Sequence, residues 1–305
     1  MIRRQRHGRW AATLVLALSI APPAALADGA AHLSVFASDD ADDTSTLETG
    51  LTLDYRFEDV ERYRGIKLER LDIRPLGGER WRDHRAYYRF ADYNDHWLWN
   101  GQVGTDGDTV VGNANFVRGG RVRQEYFVER DVLETPRGVE GLHHTFLGAS
   151  FDLPLGEGER QQLTTLVGVQ DFTGSNIRAH LRASYIATVV PEWGLSAQLR
   201  TRAFHNSTPG EYDYYSPRWF AEAIPVLQVR RFRDRWMYSA ALGWGWQRSS
   251  GTDVREARLV EAAVTSPRTG RDWYFRATAS YSNTPTGAGQ SYGYRQLMLE
   301  LVRPF

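Results

Sequence analysis

The side chains best able to act on a solute are arginines spaced two residues apart. Arg178, His180 and Arg182 alternate with apolar residues, and Gln198, Arg200 and Arg202 do the same one segment later. Glu222 and Arg230 take the equivalent positions in the segment after that. Two-residue spacing places alternate side chains on one face of an extended chain, so these groups share a surface. Arg56, Arg85, Arg89, Arg121 and Arg123 extend the set, with Asp54, Glu125, Glu129, Asp152, Glu256 and Glu300 between them. Guanidinium groups facing carboxylates across water create a transverse field that favours hydrated polar or anionic solutes. The competing expectation is that the charges only pair with each other and stiffen a wall.

A second cluster, Tyr212, Tyr214, Tyr215, Arg218 and Trp219, mixes aromatic rings with Asp213 and suits sugar: rings stack on pyranose faces while charged groups bond hydroxyls. An interfacial aromatic girdle explains the same residues equally well. Catalytic chemistry finds little support. The chain has no cysteine, which excludes a thiol nucleophile and any Cys-ligated metal, and Lys67 is its only lysine. His143 and His144 are adjacent, so a strand would point them to opposite faces. No HExxH or Gly-x-Ser-x-Gly occurs. Asp39, Asp40, Asp42 and Asp43 lack the glycine and terminal glutamate of a calcium loop and read as a solvated acidic loop. The expectation is therefore no enzyme, no metal and no cofactor.

The elements that must carry these groups are strands. Ile177, Ala179, Leu181, Ala183, Tyr185, Ala187 and Val189 fall on the face opposite Arg178 and Arg182. The same alternation runs through Trp236 to Trp246 and Trp273 to Tyr281. The segments are roughly 12 to 15 residues long, where strands are usually five or six. About sixteen can be counted, from 31–38 to 291–305, with the register of 31–76 least determined and a bulge expected over Ile66–Ile73. Gaps alternate between longer polar loops and tight Gly-, Pro- or Asp-containing turns. Long strands, an even count and this asymmetry predict an all-β fold: a transmembrane antiparallel barrel with both termini periplasmic.

Composition agrees. With 37 basic and 37 acidic residues the chain has no basic excess and is not expected to bind nucleic acid. Mean hydropathy is −0.49, yet it holds 10 Trp and 15 Tyr. Met1 to Ala27 reads as a signal peptide, with Arg3, Arg4, Arg6 and Arg9, an apolar run and Ala25-Leu26-Ala27 as cleavage site. Residues 28–305 then form one domain in a Gram-negative outer membrane. Its expected partners are lipid, lipopolysaccharide and the barrel assembly machinery. Leu297, Leu299, Leu301 and Phe305 form the terminal strand pattern expected of an assembly signal, with Arg303 departing from it.

Tyr214-Tyr215-Ser216-Pro217 before a long strand resembles the Tyr-Tyr-Ser-Pro or Tyr-Phe-Ser-Pro segment in the barrels of cellulose and poly-N-acetylglucosamine secretion porins. The Tyr281-Ser282-Asn283-Thr284-Pro285 loop and the strand from Tyr292 to Phe305 are similar too, as are standalone YaiO-type outer-membrane barrels. The resemblance covers the C-terminal third and implies an exopolysaccharide export channel. A general small-solute porin, a closed surface barrel and, behind these, an enzyme acting on lipid or glycan are the alternatives. Secretion porins carry tetratricopeptide repeats ahead of the barrel. No such repeat occurs here, so a polysaccharide exporter would need a separate periplasmic scaffold.

Overall fold

The computed structural model describes residues 28–40, 44–75, 77–156, 158, 160–268, 273–284 and 293–305. Residues 1–27, where a signal peptide is expected, lie outside them, as do Asp42, Asp43, Pro285 and Tyr292. Sixteen strands form one closed sheet in which every neighbour in sequence is a neighbour in space. In order these are β1 (Ala30–Asp40), β2 (Ser45–Asp59), β3 (Arg62–Arg74), β4 (Trp81–Tyr93), β5 (Trp97–Thr105), β6 (Val110–Arg118), β7 (Arg123–Val132) and β8 (His143–Leu155). The second half is β9 (Gln161–Phe172), β10 (Ile177–Val190), β11 (Leu195–Asn206), β12 (Trp219–Arg233), β13 (Trp236–Ser249), β14 (Arg255–Thr265), β15 (Tyr274–Ser282) and β16 (Tyr294–Pro304).

Antiparallel pairing of β1 with β16, from Ala30 opposite Pro304 to Asp40 opposite Tyr294, closes the sheet and leaves no unpaired edge. Both chain ends therefore lie at one rim, the terminal rim. At the other, the loop rim, the connections are L1 (41–44), L2 (75–80), L3 (106–109), L4 (133–142), L5 (173–176), L6 (207–218), L7 (250–254) and L8 (283–293). The terminal rim has the tighter turns. In the two-residue turn between β12 and β13, Asp234 and Arg235 both take positive φ, 51° and 65°, the left-handed pair that suits strand twist. The expected loop asymmetry is present. At the terminal rim Phe305 exchanges backbone hydrogen bonds with Gly29, and its ring lies where a Cβ on Gly29 would be, at 2.6 Å.

Pleating sorts the side chains by face. Leu51, Ile66, Leu68, Leu147, Leu181 and Leu242 project outward, each 47–64% exposed, and Trp193 and Trp273 stand exposed at the terminal rim. Such a belt with aromatic flanks is the outer surface of a membrane barrel. Leu297 and Leu299 are outward in the closing strand, opposite Ala37 and Val35.

Four expectations need correction. Arg56 lies past an irregularity between Asp54 and Arg56 and pairs with Glu58 in the open. Arg121 precedes β7 and sits in a turn. Glu256 faces outward, bonded to Arg258, because its register partner is the outward Trp246. Over Ile66–Ile73 there is no bulge: the pairing of β3 with β4 is regular. What changes is the face carrying the apolar residues. Leu71 and Ile73 point inward and pack with Val132, Trp81 and Val139 of L4, while Arg70 and Asp72 point out.

Candidate functional site

The inner wall of β10–β12 carries the predicted arginines, and the register shows how each is used. Arg182 stands opposite Arg202, whereas Ser184 stands opposite Arg200 and Asn206 opposite Arg178. Arg200 is held in a two-pronged bond by Glu261 of β14, at 3.0 Å to each oxygen; its Nε also donates to Gln198, which bonds Gln228 in turn. Arg202 lies 3.6 Å from Glu222, which accepts a hydrogen bond from Thr284 of L8. Arg182 has no hydrogen bond or ion pair among the described residues, and it is exposed to the lumen. Of the four arginines expected to form one stripe, Arg182 alone keeps its charge free. Arg230 is exposed near the terminal rim, away from the others.

Arg178 has a different role. It is 8% exposed, with its guanidinium carbon 4.9 Å from the Phe172 ring centre and 4.6 Å from that of Phe204. Its Nε donates to Asn206 at 2.8 Å and a terminal nitrogen to the carbonyl of Tyr215. Stacking on aromatics while donating to oxygens is a favourable setting for a desolvated guanidinium. It ties L6 to the wall, with two of its nitrogens taken up by these bonds. His180 is in the same layer, 3.1 Å from Gln170 and edge-on to Phe146.

L6 folds inward over the mouth. The Tyr214 ring stacks on Phe172 with centres 4.3 Å apart and planes 8° apart, and its hydroxyl accepts from Asn176 at 2.9 Å. Leu133, Leu142 and Tyr212 complete an apolar cluster around it. Glu211 caps L5, accepting from the Ser175 amide and hydroxyl and the Asn176 amide; the Ser175 hydroxyl bond holds its carboxyl below the usual range. L4 joins L6 through Asp213, which accepts from the Thr135 hydroxyl and the Arg137 amide at 2.9 and 2.8 Å. From L4, Glu134 crosses the lumen to accept from Thr46 of β2 at 2.9 Å. Burial, with Asp131 beside it, pushes the Glu134 carboxyl up.

The predicted sugar-contact group does not form a shared platform. Tyr214 is 3% exposed with its face covered, Trp219 faces outward beneath Arg248, and Arg218 points to solvent. Tyr215 borders the interior beside Tyr214, edge-on to Phe204 and Phe220. The sequence reading missed Glu261, Asn176, Asn206 and Glu134. Glu261 shares the inward phase of Arg255, Ala257 and Leu259, so alternation within β14 carried the signal. The loop contacts left none.

Beneath the loops lies a cavity of about 390 Å³, with Asp40, Glu129, Asp131 and Glu134 on one side and Arg178, Arg182 and Arg202 on the other. A second of about 520 Å³ lies deeper, lined by Ser184, Arg200, Glu261, Ser280 and Gln296. Arg182, Arg202 and Tyr294 border both, so they stand between them. A third of about 440 Å³ reaches toward the terminal rim among Lys67, Arg89 and Glu300, beside the buried pair of His32 and Asp54, 2.7 Å apart. His143 and His144 diverge as expected, toward Asp106 and Glu129. The described residues hold no cluster of three metal-ligating side chains.

No protein-family model and no curated protein matches the sequence. Among solved structures, a bacterial polysaccharide outer-membrane secretin superposes with TM-score 0.65 at 11% identity, covering 92% of this chain and 99% of the other. OccK5 (OpdH) of Pseudomonas aeruginosa aligns at TM-score 0.41 and 9% identity, over 92% and 99% of the two chains. OmpT of Vibrio cholerae aligns at 0.44 and 8%, over 91% and 97%. In its fold, this chain is a closed sixteen-stranded barrel of the outer-membrane kind.

Proposed function

We propose that the barrel is an outer-membrane channel, with its terminal rim in the periplasm, that exports a polysaccharide through a lumen closed at its outer mouth by L4 and L6. The observation that carries this reading is the series of three cavities along the inner wall, each bordered by charged side chains, inside a barrel that superposes over 92% of the chain on a polysaccharide secretin. Hydroxyl, amide and paired charged groups bond sugar hydroxyls without holding any one unit tightly, as conduction requires. The loops, in this reading, are a gate that the emerging polymer displaces.

A bilayer experiment tests it. The intact protein should conduct poorly, and excision of 209–216 should raise conductance several-fold, while deletion of the gene removes a surface polymer. A variant without the loop that still fails to conduct would overturn the channel reading. Conductance with no loss of polymer would leave a small-solute pore. The wall bonds of Arg200 to Glu261, three strands away, and of Arg202 to Glu222, on the adjacent strand, tie up charge that would otherwise face a solute and favour the second reading, a closed structural barrel.

A further inference from the structure

The change of face noted in β3 leaves a feature on the outside of the barrel. Down the ladder between β3 and β4, Ile66 pairs with Tyr88 and Leu68 with Ala86, and all four are outward and exposed. The next outward pairs toward the loop rim are Arg70 with His84 and Asp72 with Arg82. One step of the pleat, about 7 Å, therefore takes the outer wall from apolar to strongly basic. β5 ends at Thr105, opposite Ala86, so Arg82 and His84 stand beyond the last β4–β5 pair. That places them at the upper border of the apolar belt.

The cluster is organised by one carboxylate. Asp72, 7% exposed, accepts from Arg70 Nε at 2.9 Å and from Arg82 Nε at 3.0 Å, and lies 3.1 Å from Arg80. The three arginine side chains stay 43–51% exposed, and Arg74 is exposed on the same edge. Four guanidinium groups against one carboxylate leave three positive charges uncompensated. Asp72 offsets the repulsion among the three arginines it touches and gathers their donors onto one side of the wall. Arg82 engages it through Nε alone, so both terminal nitrogens remain available. Fixed, forked donors of this kind match phosphate oxygens.

We propose that Arg70, Arg80 and Arg82, set by Asp72 and assisted by Arg74 and His84, bind the phosphate groups of lipopolysaccharide. The phosphates of that lipid lie at the upper edge of the hydrocarbon region, where Leu68 and Ala86 give way to these side chains. The inference rests on the loop rim facing outward, as in the functional reading above, but not on the barrel conducting.

The test uses the purified full-length barrel in detergent, with bisphosphorylated lipid A as probe and monophosphorylated lipid A and phosphatidylglycerol for comparison, read by native mass spectrometry. The intact protein should retain the bisphosphorylated lipid over both others. Arg70→Ser with Arg82→Ser should weaken retention about 30-fold, at roughly fivefold per arginine near a charged lipid surface, with heat-modifiable migration unchanged. Arg231→Ser with Arg233→Ser, at the opposite rim, should retain the probe fully. Equal retention by the first double variant, or equal retention of phosphatidylglycerol, would overturn the site. If that variant does not fold, Arg80→Ser in L2 carries the same comparison outside the sheet. Because the chain has no cysteine, Glu79→Cys reports orientation separately. Labelling by an impermeant maleimide on intact cells supports the proposal; absence of labelling overturns it through orientation, not through the chemistry of the cluster.

Discussion

Replacing Tyr214 by alanine isolates the hold of L6 on the wall. The ring is 3% exposed and stacked on Phe172, so truncation removes a buried aromatic, a change that costs about 3–5 kcal/mol in a packed site. Part of that is the stack itself, about 0.5–1.5 kcal/mol. All of it falls on the seated loop, because a displaced L6 leaves the ring in water. At 1.4 kcal/mol per tenfold, even the lower figure shifts the loop equilibrium by about two orders of magnitude toward open. Tyr214→Phe deletes only the bond from Asn176, whose amide keeps Asn206 as partner at 3.1 Å, so about 1 kcal/mol and roughly a fivefold shift are expected. Single-channel open probability and tryptic cleavage after Arg218 should both rise in the order wild type, Phe, Ala. Cleavage that rises in the alanine variant with open probability unchanged would show that L6 does not gate the lumen. A loop still protected from trypsin would refute the packing argument.

Three further outcomes follow from the same contacts. Arg182→Glu should move the reversal potential in a salt gradient toward cations, and Arg200→Glu should impair assembly instead, because it sets a second carboxylate against Glu261; paired measurement of both variants checks this. For Glu134, a carboxyl pushed up by burial favours the seated L4 most below the ordinary glutamate value of about 4.3, and that support is lost as pH rises through the raised value. Wild-type conductance should therefore rise with pH, while Glu134→Gln should stay low across the range. Gly29→Val puts side-chain atoms where the Phe305 ring and the Asp54 carbonyl already lie, at 2.6 and 2.8 Å. Overpacking of about 1–3 kcal/mol should lower the temperature at which heat-modifiable migration is lost.

The barrel was legible because lipid outside and water inside impose a two-residue period on every strand, and Ile177 to Val189 states it without interruption. It failed where that contrast ends. Above the belt, Arg70 and Asp72 meet water while Leu71 and Ile73 meet L4, so the pattern inverted and resembled a bulge. Glu256 was misassigned at the same height on β14. Inward phase could be read for Arg178, Arg182, Arg200 and Arg202 alike, since phase is a property of one strand. Which of them is free depends on Glu261, Glu222 and Tyr215, brought up by other strands and by a loop, and no local period encodes those meetings. Tyr212 to Trp219 showed the limit from the other side: its composition suited a sugar, but Phe172 and Asn176 had already taken Tyr214.

The pairing of β1 with β16 joins the two most distant strands of the chain, Ala30 beside Pro304. Every other pair can form between strands adjacent in sequence, at small loop-closure cost, whereas this one brings together segments with fourteen strands between them. Until it forms, two rows of backbone amides and carbonyls stand open, and in hydrocarbon each unsatisfied group costs several kcal/mol. A partly zipped sheet is thus least tolerable in the solvent where the finished cylinder is most stable. Closure acts as a final, all-or-none event with a high barrier before it and almost no route back after it. The resistance of the completed barrel to unfolding is then chiefly a matter of rate, set by the reopening of a single seam.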